Sequence, residues 1–282
     1  MTPEPIGAVD RRIEGPHGSI AVRVYSGSAP RYGLVWAHGG AFVAGDLDMP
    51  ESDWVARQIA SDGAVVVAVD YRLARSPEWS DRWGSGRSVG HHFPVASEEV
   101  STAFRWAVRA HLGPATWFLG GASAGANLAT GATLRLRDRG GPVPAGLVLA
   151  YPLVHAELPP MSPDLAAVYA TVPEEKRFSP ETVLALNLNY VDDPADLGHP
   201  YAFPGGHDLA GLPTTLIVNS DLDSLRASGE RFAGELALAG VDVTVVREPG
   251  TWHGHLNDPD GDGADRSIRR IRRWLAWSCG TD

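Results

Sequence analysis

The sequence predicts an α/β protein: a mostly parallel central sheet with helices on both faces. Three observations predict it. Strand-like and helix-like segments alternate along the 282 residues, the pattern of βα units. The segment Ala64–Asp70 (AVVVAVD) is β-branched and apolar up to its last residue, as an interior strand covered on both faces must be. Glycine-rich or acidic turns follow several strands, at the sheet end where open α/β folds carry their sites.

In chain order, residues 11–25 read as an opening pair of strands turning at Pro16-His17-Gly18, and Gly33–Ala37 as a short apolar strand. Ser52–Ser61 has helical spacing, with Trp54, Val55, Gln58 and Ile59 recurring every three to four residues. After the strand Ala64–Asp70 come a helix at Ser97–Ala110, a strand at Thr116–Gly120 and a helix at Ala124–Asp138. Gly146–Tyr151 and Thr214–Asn219 are further buried strands; Ser228–Ala239 is a helix, Asp242–Arg247 a strand and Ser267–Trp277 an amphipathic closing helix. Residues 155–206 break the rhythm. They are Pro-rich, with short helical pieces such as Pro180–Asn189, and read as a cap inserted into a catalytic domain of residues 1–154 and 207–282. Residues 75–92 form a Ser/Gly/Arg/Trp loop too long for an ordinary connection.

Composition narrows the function. The net charge of −10, from 34 acidic and 24 basic residues, argues against nucleic acid or an anionic membrane as partner, since both select basic surfaces. Cys279 is the only cysteine, so no disulfide forms within the chain. No apolar stretch at the N-terminus suits a signal peptide and no run reaches the length of a membrane span. The expectation is a soluble cytoplasmic protein. A homodimer stays open, because the strand Asp242–Arg247 is expected near a sheet edge.

The chemistry lies in four short stretches. Gly121-Ala122-Ser123-Ala124-Gly125 follows an expected strand and opens an expected helix. That G-x-S-x-G spacing suits a strained strand-to-helix elbow, which small flanking residues permit. His38-Gly39-Gly40-Ala41-Phe42 follows the strand Gly33–Ala37. Its glycines allow backbone N–H groups to turn toward a site, and with the N–H of Ala124 they would make an oxyanion hole. A serine nucleophile needs a base, and the base an orienting acid, in the chain order Ser, acid, His. Ser220-Asp221-Leu222-Asp223 ends one later strand, and Thr251-Trp252-His253-Gly254-His255 follows the next. Each supplies a candidate and a neighbour that competes with it.

Together these stretches resemble the hormone-sensitive-lipase-like esterases of the α/β-hydrolase fold. Members carry H-G-G-[GA]-[FW], G-D-S-A-G-G-N-L-A, D-x-L-R and H-G-F, which stand here as His38–Phe42, Gly121–Ala129, Asp223–Arg226 and His253–His255. The likeness covers roughly residues 18–278. It implies Ser123 as nucleophile, His253 as general base and Asp223 as orienting acid, with Gly39, Gly40 and Ala124 as oxyanion donors. Leu225 and Arg226 follow Asp223 in the family's spacing, which favours it over Asp221. The implied reaction is hydrolysis of acyl esters through an acyl-enzyme, with a small-molecule ester as partner and no metal or organic cofactor; the expectation of short acyl chains comes from the 75–92 loop, which is expected to narrow the pocket. An amidase, an acyltransferase, or a ligand-binding protein on a retired hydrolase scaffold are the alternatives. Ala122, Ala126 and His255 depart from the family's Asp, Gly and Phe. The N-terminal part of the family's cap has no counterpart in the strand-like residues ahead of His38, whereas the 75–92 loop brings Trp79 and Trp83 toward the site edge. Phe42, Trp79, Trp83 and Trp252 are thus expected to line the substrate pocket.

Three features are set aside. Asp258-Pro259-Asp260-Gly261-Asp262-Gly263 begins like a calcium loop but has Arg269 where the closing Glu belongs. His91-His92 lack a third metal ligand at fixed spacing. Arg269, Arg270, Arg272 and Arg273 form the wet face of the last helix.

Overall fold

The computed structural model of the protein describes residues 6–27, 29–77 and 90–280. Gly18 N–H donates to the Gly15 carbonyl, closing the turn that brings β1 (Gly7–Ile13) antiparallel to β2 (Ile20–Ser26). β2 pairs antiparallel with β4 (Ala64–Asp70), and from there every pairing is parallel, through β3 (Tyr32–Ala37), β5 (Trp117–Ala122), β6 (Leu147–Ala150), β7 (Thr215–Ser220) and β8 (Val243–Glu248). The eight strands run in the order β1-β2-β4-β3-β5-β6-β7-β8. This is the α/β-hydrolase fold expected from the sequence.

The alternation of side chains along each strand splits the core in two. Val65, Val67 and Val69 of β4 pack under α2 (Val95–Arg109), α3 (Ala124–Asp138) and α6 (Arg226–Leu238), with Phe104, Leu128 and Phe232. Ala64, Val66 and Ala68 face the opposite layer, where α1 (Asp53–Ala60) and α7 (Asp262–Ser278) contribute Val55, Ile59, Ile268, Ile271 and Leu275. A strand buried on both sides has no polar face to show, which is why β3, β4 and β6 read as nearly continuous apolar runs.

Between β6 and β7 lie α4 (Pro163–Thr171) and α5 (Pro180–Val191). The side chains of Ser162 and Ser179 accept the N–H of Leu165 and of Thr182, and proline follows each serine. A serine cap followed by proline is a strong start signal, because proline fixes the helical φ and gives up an N–H that had no partner there. α7 begins at Asp262, five residues before its sequence expectation. Asp262 and Gly263 of the acidic stretch 258–263 thus open the helix, where Asp262 and Asp265 favour the N-terminal dipole. No helix among the described residues is long and apolar enough to cross a membrane.

Candidate active site

Ser123 sits between β5 and α3 with φ 52° and ψ −117°. A β-carbon-bearing residue pays steric strain there, and such conformations persist only where the surroundings over-determine them. Here Ser123 N–H donates to the Ala150 carbonyl at 2.9 Å, while Ser123 C=O accepts the N–H groups of Ala126 and Asn127. The second glycine of the pentapeptide has a steric reason: a Cβ on Gly125 would run into the Ala37 and His38 carbonyl oxygens. α3 therefore starts directly against the end of β3.

The other two side chains arrive from β7 and β8. Asp223 follows β7 and is buried; His253 follows β8 ahead of Gly254, which takes φ 76°. Ser123 Oγ lies 2.9 Å from His253 Nε2, and His253 Nδ1 lies 2.6 Å from Asp223 Oδ2. The competing residues are engaged elsewhere. Asp221 binds Arg226 Nη1 at 3.3 Å and accepts Gly250 N–H at 3.2 Å. His255 bridges the hydroxyls of Ser220 and Ser267, and burial pushes its pKa down to about 4. Such a line of hydroxyl, imidazole and carboxylate can move a proton from an attacking serine and hold the imidazolium that results.

The glycine loop differs in one respect from its sequence expectation. Gly40, Ala41 and Ala124 line the cavity beside Ser123. Ala124 is the first residue of α3, where an N–H lacks a partner within the helix. Gly39, expected to donate to an oxyanion, instead donates its N–H to Glu51 Oε2 at 2.5 Å, which removes it from the donor set. His38 stacks on Tyr71, whose hydroxyl donates to the His38 carbonyl at 2.8 Å and fixes the base of the loop.

The cavity holds about 420 Å³. Phe178, Val183 and Leu186 from the segment between β6 and β7 form an apolar wall with Leu153 and Leu225, and the Phe178 ring meets His253 edge-on at 4.9 Å. Phe42 lines the cavity while stacked on Tyr190 at 3.9 Å. Trp252, expected in the pocket, instead borders a separate depression on the other side of His253, with Lys176 Nζ over its ring at 5.4 Å. Trp79 and Trp83 lie outside the described residues. Sequence reasoning missed Glu51, which lines the cavity, and Tyr151, whose hydroxyl donates to Glu51 Oε1 at 2.5 Å. No periodicity or motif marks either one, because their relation exists only in the folded chain.

A profile of the α/β hydrolase fold family matches residues 34–257. The chain is 33% identical over 264 residues to Esterase LipI of Mycobacterium tuberculosis, covering 88% of this chain and 74% of LipI. It is 34% identical over 260 residues to Carboxylesterase NlhH of the same organism, covering 88% and 76% respectively. Among solved structures, the thermostable carboxylesterase EstE1 from a metagenomic library superposes with a TM-score of 0.83 at 29% identity, over 98% of this chain and 90% of EstE1. The hyperthermophilic esterase of Pyrobaculum calidifontis gives 0.81 at 33%, over 95% and 85%. With the profile spanning most of the sheet and relatives a third identical along nearly its whole length, the chain belongs to the α/β-hydrolase fold family, as an esterase.

Proposed function

We propose that the protein hydrolyses short-chain acyl esters through Ser123, His253 and Asp223. The observation that carries this reading is the pair of in-line hydrogen bonds, 2.9 Å from Ser123 Oγ to His253 Nε2 and 2.6 Å from His253 Nδ1 to Asp223 Oδ2. Ser123 Oγ attacks the ester carbonyl while His253 takes its proton; the tetrahedral oxyanion accepts from the N–H groups of Gly40 and Ala124, with Ala41 the third residue positioned to donate. Collapse expels the alcohol, which takes the proton from His253 and leaves acyl-Ser123. Water then attacks with His253 again as base, releasing the acid and restoring the serine. Asp223 keeps the imidazole in the tautomer that presents Nε2 to the serine.

The preference for short chains rests on the cavity, whose 420 Å³ must hold both arms of the ester. Residues 155–206 act as the cap, through Phe178, Val183 and Leu186. A series of p-nitrophenyl esters from acetyl to decanoyl tests the proposal: kcat/KM is expected to peak at or below butyryl and fall steeply beyond hexanoyl. A maximum at octanoyl or longer would overturn the chain-length assignment. Absence of turnover on every ester would overturn the reaction.

A further inference from the structure

Glu51 lies on the short segment leading into α1, with 1% of its surface exposed. Its carboxylate is met by three donors from three different parts of the fold. Gly39 N–H reaches Oε2 at 2.5 Å, Tyr151 Oη reaches Oε1 at 2.5 Å, and Asn257 Nδ2 reaches Oε1 at 3.2 Å. Its backbone is held as well: Glu51 N–H donates to Asn257 Oδ1 at 3.2 Å, and Trp36 Nε1 donates to the Glu51 carbonyl at 2.8 Å. All the donors to the carboxylate are neutral. Burying a carboxylate among neutral donors is costly, and desolvation accordingly raises its pKa above the ordinary glutamate value. A structural contact between the same segments could be made more cheaply with an amide or an apolar side chain.

We propose that Glu51 is a positioning residue for the esterase reaction, fixing the glycine loop that carries the oxyanion donors and tying it to the turn that carries His253. The inference rests on the ester-hydrolase reading above. Gly40, Ala41 and Phe42 take φ of 114°, 53° and 66°, three left-handed residues in succession, of which Ala41 and Phe42 are strained by their Cβ. These are the residues of the loop that line the cavity next to Ser123. The bond from Gly39 to Glu51 pins the residue immediately before them. The opposite side of the carboxylate reaches the histidine turn by two routes. Asn257 follows His253 by four residues and exchanges two hydrogen bonds with Glu51. The Tyr151 ring packs edge-on against the His253 imidazole at 5.0 Å between centroids, while its hydroxyl holds Glu51. The donors that receive the oxyanion and the base that moves the proton are thereby set from one side chain. Burial raises the Glu51 carboxyl's pKa, while the donated hydrogen bonds from Tyr151 and Gly39 favour its ionised form.

The test compares wild type with Glu51→Ala, Glu51→Gln and Tyr151→Phe, using p-nitrophenyl butyrate with the serine titrated by an organophosphate, so that kcat is expressed per reactive site. The amide of Glu51→Gln can still accept from Gly39 through its oxygen and donate to the Tyr151 oxygen through its nitrogen, giving up only the bond from Asn257 Nδ2, whereas alanine removes every side-chain contact and keeps the backbone ones. Glu51→Ala is expected to lower kcat per site roughly a hundredfold, on the scale of losing one oxyanion donor, with KM changed less than about threefold. Glu51→Gln should recover most of that loss, and Tyr151→Phe should lower kcat by about tenfold. Should Glu51→Ala not fold, Tyr151→Phe alone decides: unchanged kcat per site in that variant overturns the proposal. Equally, fewer titratable sites or a lower melting temperature in Glu51→Ala, with kcat per remaining site unchanged, would make Glu51 a folding residue only. A wild type that turns over no ester would instead sink the hydrolase reading, a result recognisable before any Glu51 variant is made.

Discussion

At the scale of single residues, function and stability pull in opposite directions at the same few positions. Ser123 holds a left-handed backbone and Glu51 a desolvated carboxylate. Replacing Ser123 by Ala should leave the fold intact and lower kcat by about 10⁶, as in other serine triads. Asp223→Asn should cost about 10⁴ through loss of the imidazole's orientation. Asp221→Asn should cost far less, because Asp221 serves Arg226 and the Gly250 N–H rather than His253. Equal losses at the two aspartates, in purified protein with matched melting temperatures, would leave the acid unassigned. His255 offers a test through stability. Its pKa is about 4 in the fold, mainly from desolvation, and about 6.5 when unfolded, so between those values the unfolded chain binds the extra proton. Stability from this residue is therefore complete above pH 6.5 and lost as pH falls toward 4, a difference on the order of 3 kcal/mol. Urea denaturation at pH 7.5 and pH 5 should show a smaller acid loss in His255→Gln than in wild type; identical losses would contradict the assignment.

At the scale of elements, the segment between β6 and β7 lines the cavity and, on the proposed function, would decide which ester arms fit. α5 presents Val183 and Leu186 to the cavity, and Leu186 is almost fully buried. Leu186→Ala should cost about 2–5 kcal/mol in stability and move the acyl preference toward hexanoyl or longer, read from the same ester series. An unchanged profile in the folded variant would place the specificity elsewhere. The interior strands were legible in the sequence because burial on both faces leaves an uninterrupted apolar run, as in Ala64–Asp70. α5 was legible to within two residues, whereas α4 was not singled out even though Ser162-Pro163-Asp164 carries the same start signal as Ser179-Pro180-Glu181. Only Leu165 of α4 is buried, so it has no apolar stripe for periodicity to detect. The candidate triad could be read because each member ends a strand beside a recognisable turn. Glu51 and the diversion of the Gly39 N–H could not be read, because both depend on a contact between residues distant in the chain and on no local pattern.

At the scale of the whole molecule, the strand order gathers the candidate triad in the half of the sheet that runs from β5 to the β8 edge. β5, β7 and β8 lead into Ser123, Asp223 and His253, while β1 lies at the opposite edge with six of its seven residues exposed. Deleting residues 1–12 should leave kcat/KM within about twofold while lowering stability and exposing β2 as a new edge; a hundredfold loss of kcat in the folded truncation would mean that the hairpin reaches the site. The central claim is that one serine carries the acyl group. Mixing the enzyme with excess p-nitrophenyl acetate and quenching in acid within the first turnover tests it most directly, with the acylated peptide located by mass spectrometry. The account predicts a burst of p-nitrophenol matching the titrated sites and an acetyl group on Ser123, both absent in Ser123→Ala. Hydrolysis that continues in Ser123→Ala, or an acetyl group found on another residue instead, would contradict it.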